Sequence, residues 1–196
     1  MLYIPWHFPL HKESSITGAS KKAEREFEKQ FPAIYNHLLK YKKKLEQRNR
    51  AETGIRYEWY ALQRWGANYT DDFSKQKIVF SRISGKEPCF AIDNHDVLTN
   101  DTGYIIVGEK LDYLLAMLTS NLIWFALKRF YMGGGIETEF KVNNLDNLSI
   151  LLPCSNIEKK FESLIKSQKY KKINEEIYKL YGLSEEEINC LSFQLS

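Results

Sequence analysis

The sequence predicts an α+β protein: a small mixed β-sheet body with one long packed helix, flanked by helical N- and C-terminal segments. Three observations predict it. Apolar residues recur at three- and four-residue steps over residues 21–50 and again after residue 155. Short aromatic and β-branched runs, punctuated by Gly and Pro, fill the stretch between. A sustained apolar stripe, long enough only for a helix, lies over residues 109–130. At 43% hydrophobic residues, a chain of 196 can bury a core, and 10 Gly and 5 Pro are too few for a disordered chain.

The elements follow in order. Phe27, Phe31, Ile34, Tyr35, Leu38 and Leu45 line one face of a helical lead-in, in two pieces because Pro32 suits the first turn of a second helix. The runs at 57–62, 77–80, 90–92 and 104–107 read as strands, separated by Gly66, Gly85, Pro88 and Gly103. Leu111, Leu114, Leu115, Leu118, Leu122 and Phe125 form the buried stripe of the long helix, which Gly133–Gly135 ends. Residues 137–142 and 148–152 read as further strands. Residues 157–167 and 171–181 are helical, Gly182 is a C′ glycine, and Ser184 with Glu187 forms a capping box. The expected organisation is a basic helical lead-in over 1–51, an α+β body over 52–155 and a helical tail over 156–196.

Charge divides the same way. Residues 21–50 hold 10 Lys/Arg against 4 Glu, whereas residues 52–155 hold 10 basic against 13 acidic side chains. A basic lead-in before a mildly acidic body suits a polyanion-facing surface, or else a solvated helix face. The longest apolar run, 111–127, is too short and too interrupted for a membrane span. The first residues lack the basic-then-apolar pattern of a signal peptide. Cys89, Cys154 and Cys190 are odd in number and widely spaced, as free thiols of a cytoplasmic protein are. His7 and His11 stand four apart, but Pro9 breaks the helix that would align them on a metal.

No self-sufficient catalytic motif emerges. Glu139-Phe-Lys141, with Asp93 or Asp96 upstream, meets the loose pattern of a metal-dependent nuclease, and alternating polar residues on a half-exposed strand meet it equally. Tyr131-x-Gly133-x-Gly135 has the spacing of a loop that cradles S-adenosylmethionine. It follows a helix and precedes a strand, however, the reverse of what phosphate- and nucleotide-binding loops require.

Several segments, in order, carry a resemblance. They are Phe31-Pro-Ala-Ile-Tyr-Asn-His-Leu38, Tyr57-Glu-Trp-Tyr-Ala-Leu-Gln-Arg64, Lys77-Ile-Val79, Phe90-Ala-Ile-Asp93, Leu114-Leu-Ala-Met-Leu-Thr-Ser-Asn121 and Leu151-Leu-Pro153. The helical tail from Ile173 to Ile188 continues the series. In these the chain resembles the C-terminal target-recognition (TaqI-like specificity) domain of adenine-specific DNA methyltransferases and Eco57I-like type IIG restriction–modification enzymes. The Asn-Pro-Pro-Tyr type active-site tetrapeptide of those enzymes is absent, since the five prolines are never adjacent. The resemblance therefore implies a non-catalytic reading half, a fragment that positions double-stranded DNA for a methyltransferase domain in cis or in a partner subunit. It implies no cofactor here and S-adenosylmethionine for the parent enzyme, an adenine DNA methyltransferase with or without a fused endonuclease. Position along the chain then nominates Lys75, Lys77, Lys128 and Arg129 for phosphates and Arg64 and Arg82 for base edges, with Gly133 and Gly134 allowing close backbone approach. The alternative readings are a specificity subunit of the type I restriction kind, and the stand-alone nuclease.

Overall fold

The computed structural model describes residues 2–83, 85, 87–132, 139 and 145–195. The chain forms two compact units, Met1–Thr70 and Asp71–Ser196. This division differs from the charge-based segmentation at 51 and 155. The tail shares a core with the sheet, and the aromatic run after residue 52 shares one with the lead-in helices.

In the first unit, α1 (Lys21–Gln30), α2 (Pro32–Leu39) and α3 (Lys42–Glu46) follow one another closely. Ser20 caps α1 by accepting from Ala23 N, and Pro32 opens α2, as its fixed φ favours. Phe27 and Tyr35 turn inward onto Tyr57, Trp59, Tyr60 and Ala61. The expected strand over 57–62 does not form. The segment is buried in succession from Tyr57 to Ala61, and its aromatic side chains share a core with α1 and α2. It turns instead, with Ala61 N donating to Glu58 O at 3.0 Å and Leu62 N to Ile4 O at 2.9 Å.

The second unit carries β1 (Lys77–Ser81), β2 (Phe90–Asp93) and β3 (Gly103–Ile106) in the order β2-β1-β3. Both pairings are antiparallel, so this sheet is not mixed as expected; Val79 stands opposite Ala91 on one side and Ile105 on the other. Ile78, Phe80 and Phe90 supply its buried apolar side chains. α4 (Leu111–Leu118) packs against it, and α5 (Asn121–Ala126), α6 (Ser155–Lys166), α7 (Tyr170–Tyr181) and α8 (Glu185–Leu195) join the same core. Phe161 with Ile165 on α6, and Ile173 with Ile177 on α7, are buried pairs one turn apart.

The expected single helix over 109–130 is three pieces. Ser120 adopts an extended backbone, ψ 150°, and its hydroxyl donates to Met117 O at 2.6 Å while accepting from Ile123 N at 3.3 Å. One side chain thus ends α4 and caps α5. The break rotates the buried face, so Ile123, Trp124 and Leu127 are buried where the periodicity nominated Leu122 and Phe125. A π-helical turn, Leu127–Tyr131, closes the run. Residues 148–152 form no strand. Tyr113 Oη donates to Leu151 O at 2.8 Å and Leu151 N donates to Tyr181 Oη at 3.3 Å, so side chains do the work of a ladder there. Of the strand expected over 137–142 only Glu139 is described, and it bridges Ile83 in antiparallel fashion. No helix is long and apolar enough to cross a membrane, among the described residues.

Candidate nucleic-acid interface

Basic residues divide into those the fold uses internally and those it leaves to solvent. In the first unit Arg48 is internal: its guanidinium donates to Trp59 O at 2.9 Å and to Ala61 O at 2.8 Å, tying α3 to the aromatic run. Lys42 lies 3.5 Å from Glu24 and 4.9 Å above the Trp59 ring. Glu24 also accepts from Trp59 Nε1 at 2.6 Å and from Tyr35 Oη at 3.1 Å. Burial, then Glu24, pushes the Tyr35 hydroxyl up to about 12. By contrast Lys21, Arg25 and Lys29 recur every four residues along one exposed face of α1 and have no partner among the described residues. The sequence had flagged this segment by its charge surplus, but its separation into clamps and free cations depends on tertiary contacts.

Arg64 lies in the same unit, exposed and without a partner among the described residues, beside a cleft that also includes Trp65. The other nominated cations belong to the second unit. Lys75 is exposed and paired with Asp72 at 2.7 Å, a contact that raises its pKa. Lys128 and Arg129 are both exposed on the π-helical turn, with no partner among the described residues. Gly133 and Gly134 lie outside the described residues.

Lys77 requires a correction. Its side chain is fully buried, with Nζ 2.5 Å from Asp93 Oδ2 and donating to Phe73 O at 2.6 Å and His95 O at 2.9 Å. An ammonium enclosed in this way cannot reach a phosphate; it is a structural brace. Asp93 completes the brace by accepting from His95 N at 3.0 Å and Val97 N at 3.3 Å, and the Lys77 bond, then these, hold its carboxyl below the usual carboxylate range. The Lys77–Asp93 pair therefore fixes the start of the loop that leaves β2. It also takes up Asp93, one of the two upstream carboxylates a nuclease reading offers a metal, the other being Asp96, and no cluster of metal-ligating side chains occurs among the described residues.

Arg82 follows β1, its backbone N donating to Thr102 O at 2.7 Å. Its Nε forms an ion pair with Glu139 Oε1 at 3.1 Å, although the two are not aligned as a hydrogen bond. Glu139, half of the nuclease pattern, is thereby the partner of Arg82. The guanidinium is about one-third exposed, and its terminal nitrogens have no partner among the described residues. A carboxylate holding one edge of an arginine leaves the other edge available for a planar acceptor pair.

A family model described as the TaqI-like C-terminal specificity domain matches residues 21–150, a span that takes in most of the first unit and the sheet of the second. No curated protein matches the chain.

Proposed function

From the membership of this chain in the TaqI-like C-terminal specificity domain family, we propose that it reads a short duplex DNA sequence and holds that duplex for an adenine-N6 methyltransferase domain, in cis or on a partner subunit. The chain is a specificity domain; the methylating partner, its adenine target, a type II parent enzyme and a cytoplasmic setting belong to the proposal. The observation that carries the reading, beside the family, is the set of exposed cations that the fold leaves unpaired: Arg64 in the first unit and Lys128 with Arg129 in the second.

On this reading Lys75, Lys128 and Arg129 supply phosphate contacts, which give affinity and register. Arg82 reads a base edge, its guanidinium oriented by Glu139 and suited to the paired acceptors of a guanine. Arg64 contacts DNA from the first unit. S-Adenosylmethionine would be bound by the catalytic partner. Tyr131, at the head of the Tyr131-x-Gly133-x-Gly135 run, ends a helical turn rather than a strand, which does not fit a nucleotide-cradling loop.

The test is a titration of duplex binding with salt. Neutralising phosphates releases counterions, so affinity should fall steeply between about 50 and 200 mM salt. Replacing both Lys128 and Arg129 by Ala should reduce the log–log slope by about two, roughly one per phosphate contact. Affinity that ignores salt, or no duplex binding at the low-salt end, would refute the reading.

A further inference from the structure

Residues 6–67 enclose a cleft of about 300 Å³ lined by Trp6, His7, His11, Gln63, Arg64 and Trp65. Much of its wall is fixed. Trp6 stacks on Tyr57 with ring centroids 4.9 Å apart, carries the Arg56 guanidinium 5.3 Å from its ring centre, and donates from Nε1 to Leu62 O at 2.7 Å. His7 has a φ of 61°, and the buried Glu58 holds it twice, accepting from its backbone N at 2.7 Å and meeting its Nδ1 at 3.0 Å. Glu58 also accepts from Ser20 N at 2.8 Å, so this carboxylate is already satisfied. Gly66, with φ +72°, lets the Tyr69 ring close over the backbone: a Cβ there would lie 2.5 Å from that ring.

Other groups on the wall keep an open face or an open polar atom, although the His11 ring stacks on Phe8 with centroids 5.7 Å apart. The Trp65 indole makes no hydrogen bond or ring contact among the described residues, although its carbonyl accepts from Tyr3 Oη. The Arg64 guanidinium has no acceptor there, and His11 Nδ1 is buried with no hydrogen-bond partner. Burial, then the nearby Lys12, lowers the His11 pKa and so favours the neutral ring. Lys12 and Arg64 add positive charge, while Arg56 is balanced by Glu52 at 2.7 Å and Glu58 is turned to His7 and Ser20. An open indole, an unmatched imidazole nitrogen, an amide and a free guanidinium suit a flat ring with polar edges and an attached anion. The volume stands at the lower end of small-molecule pockets.

We propose that this cleft takes one unstacked nucleotide of the bound DNA, its base against the Trp65 indole, its polar edge toward Gln63 and His11, and its phosphate on Arg64. The inference rests on the DNA reading above and deepens it: the specificity domain itself holds a nucleotide outside the stack. It also puts Arg64 on a phosphate, rather than on the base edge expected from the sequence. Stacking on one indole tolerates any base, so the site contributes affinity without sequence choice.

The experiment compares the full chain on a perfect duplex and on the same duplex carrying a single-nucleotide bulge. The bulged duplex should bind roughly tenfold more tightly, the size expected for one stacked base. Trp65→Leu keeps an apolar wall without a π-face and should weaken binding of the bulged duplex until that ratio is about one. Trp65→Phe, which retains a ring, should keep most of the preference; thermal midpoints of both variants establish that they fold. Equal affinity of the wild type for the two duplexes, or a preference that survives in Trp65→Leu, overturns the nucleotide site and leaves the duplex reading intact. Absence of binding to either duplex at low salt overturns the duplex reading, and the site with it.

Discussion

Lys77 and Arg82 stand five residues apart, and the fold puts them to opposite uses. Lys77 closes a buried brace with Asp93, whereas Arg82 keeps an open edge beside Glu139. Removing one member of a buried ion pair leaves the other uncompensated. Lys77→Met should accordingly lower the thermal midpoint by roughly 10 °C or more, as differential scanning calorimetry would show. Asp93 has a pKa lowered in the folded state, so its contribution is present above the unfolded carboxylate value near 4 and is lost as pH falls through the lower folded value. The stability gap between wild type and Asp93→Asn should therefore be widest at neutral pH and narrow below about pH 4; a gap that ignores pH contradicts the assignment. Arg82→Ala should flatten preference among duplex sequences more than it lowers total affinity. Equal loss on every sequence would make Arg82 a backbone contact. Sequence position nominated both residues on the same grounds, a cation beside a turn. Only the burial of the Lys77 ammonium separates them, and burial is a tertiary property.

At the scale of elements, local chemistry was legible wherever the signal and its consequence lie within one turn. Pro32 opens a helix, Gly182 ends one in the left-handed conformation at φ 68°, and Ser184 and Glu187 cap each other's backbone N–H groups. β1, β2 and β3 form where β-branched and aromatic runs stand between turn residues. Two elements misled for identifiable reasons. The aromatic density of residues 57–62 is that of a strand, but the chain turns there, with Ala61 N donating to Glu58 O. The stripe over 109–130 is that of one helix, but Ser120 competes for the backbone at its centre. Ser120→Ala should cost about 1–2 kcal/mol in equilibrium unfolding, since the cap of α5 is lost inside the core. A change within experimental error would mean that the packing of Trp124 and Ile123 alone sets the break.

For the whole molecule, composition left a polyanion-facing surface and a solvated helix face both open and could not locate either; the resemblance named DNA. The basic surplus of residues 21–50 includes side chains the fold consumes, Arg48 and Lys42, and others it displays along α1. The cleft beside Arg64 was not legible at all. It joins residues 6–11 to residues 63–66, and nothing in local spacing links those two segments. The family match spans residues 21–150 and so crosses both compact units. As a specificity domain, the chain is expected to discriminate among duplex sequences. Selection of bound duplexes from a random pool by the full chain tests it most directly. Enrichment of one short common sequence is the predicted result, and a bound pool as diverse as the starting one would contradict it.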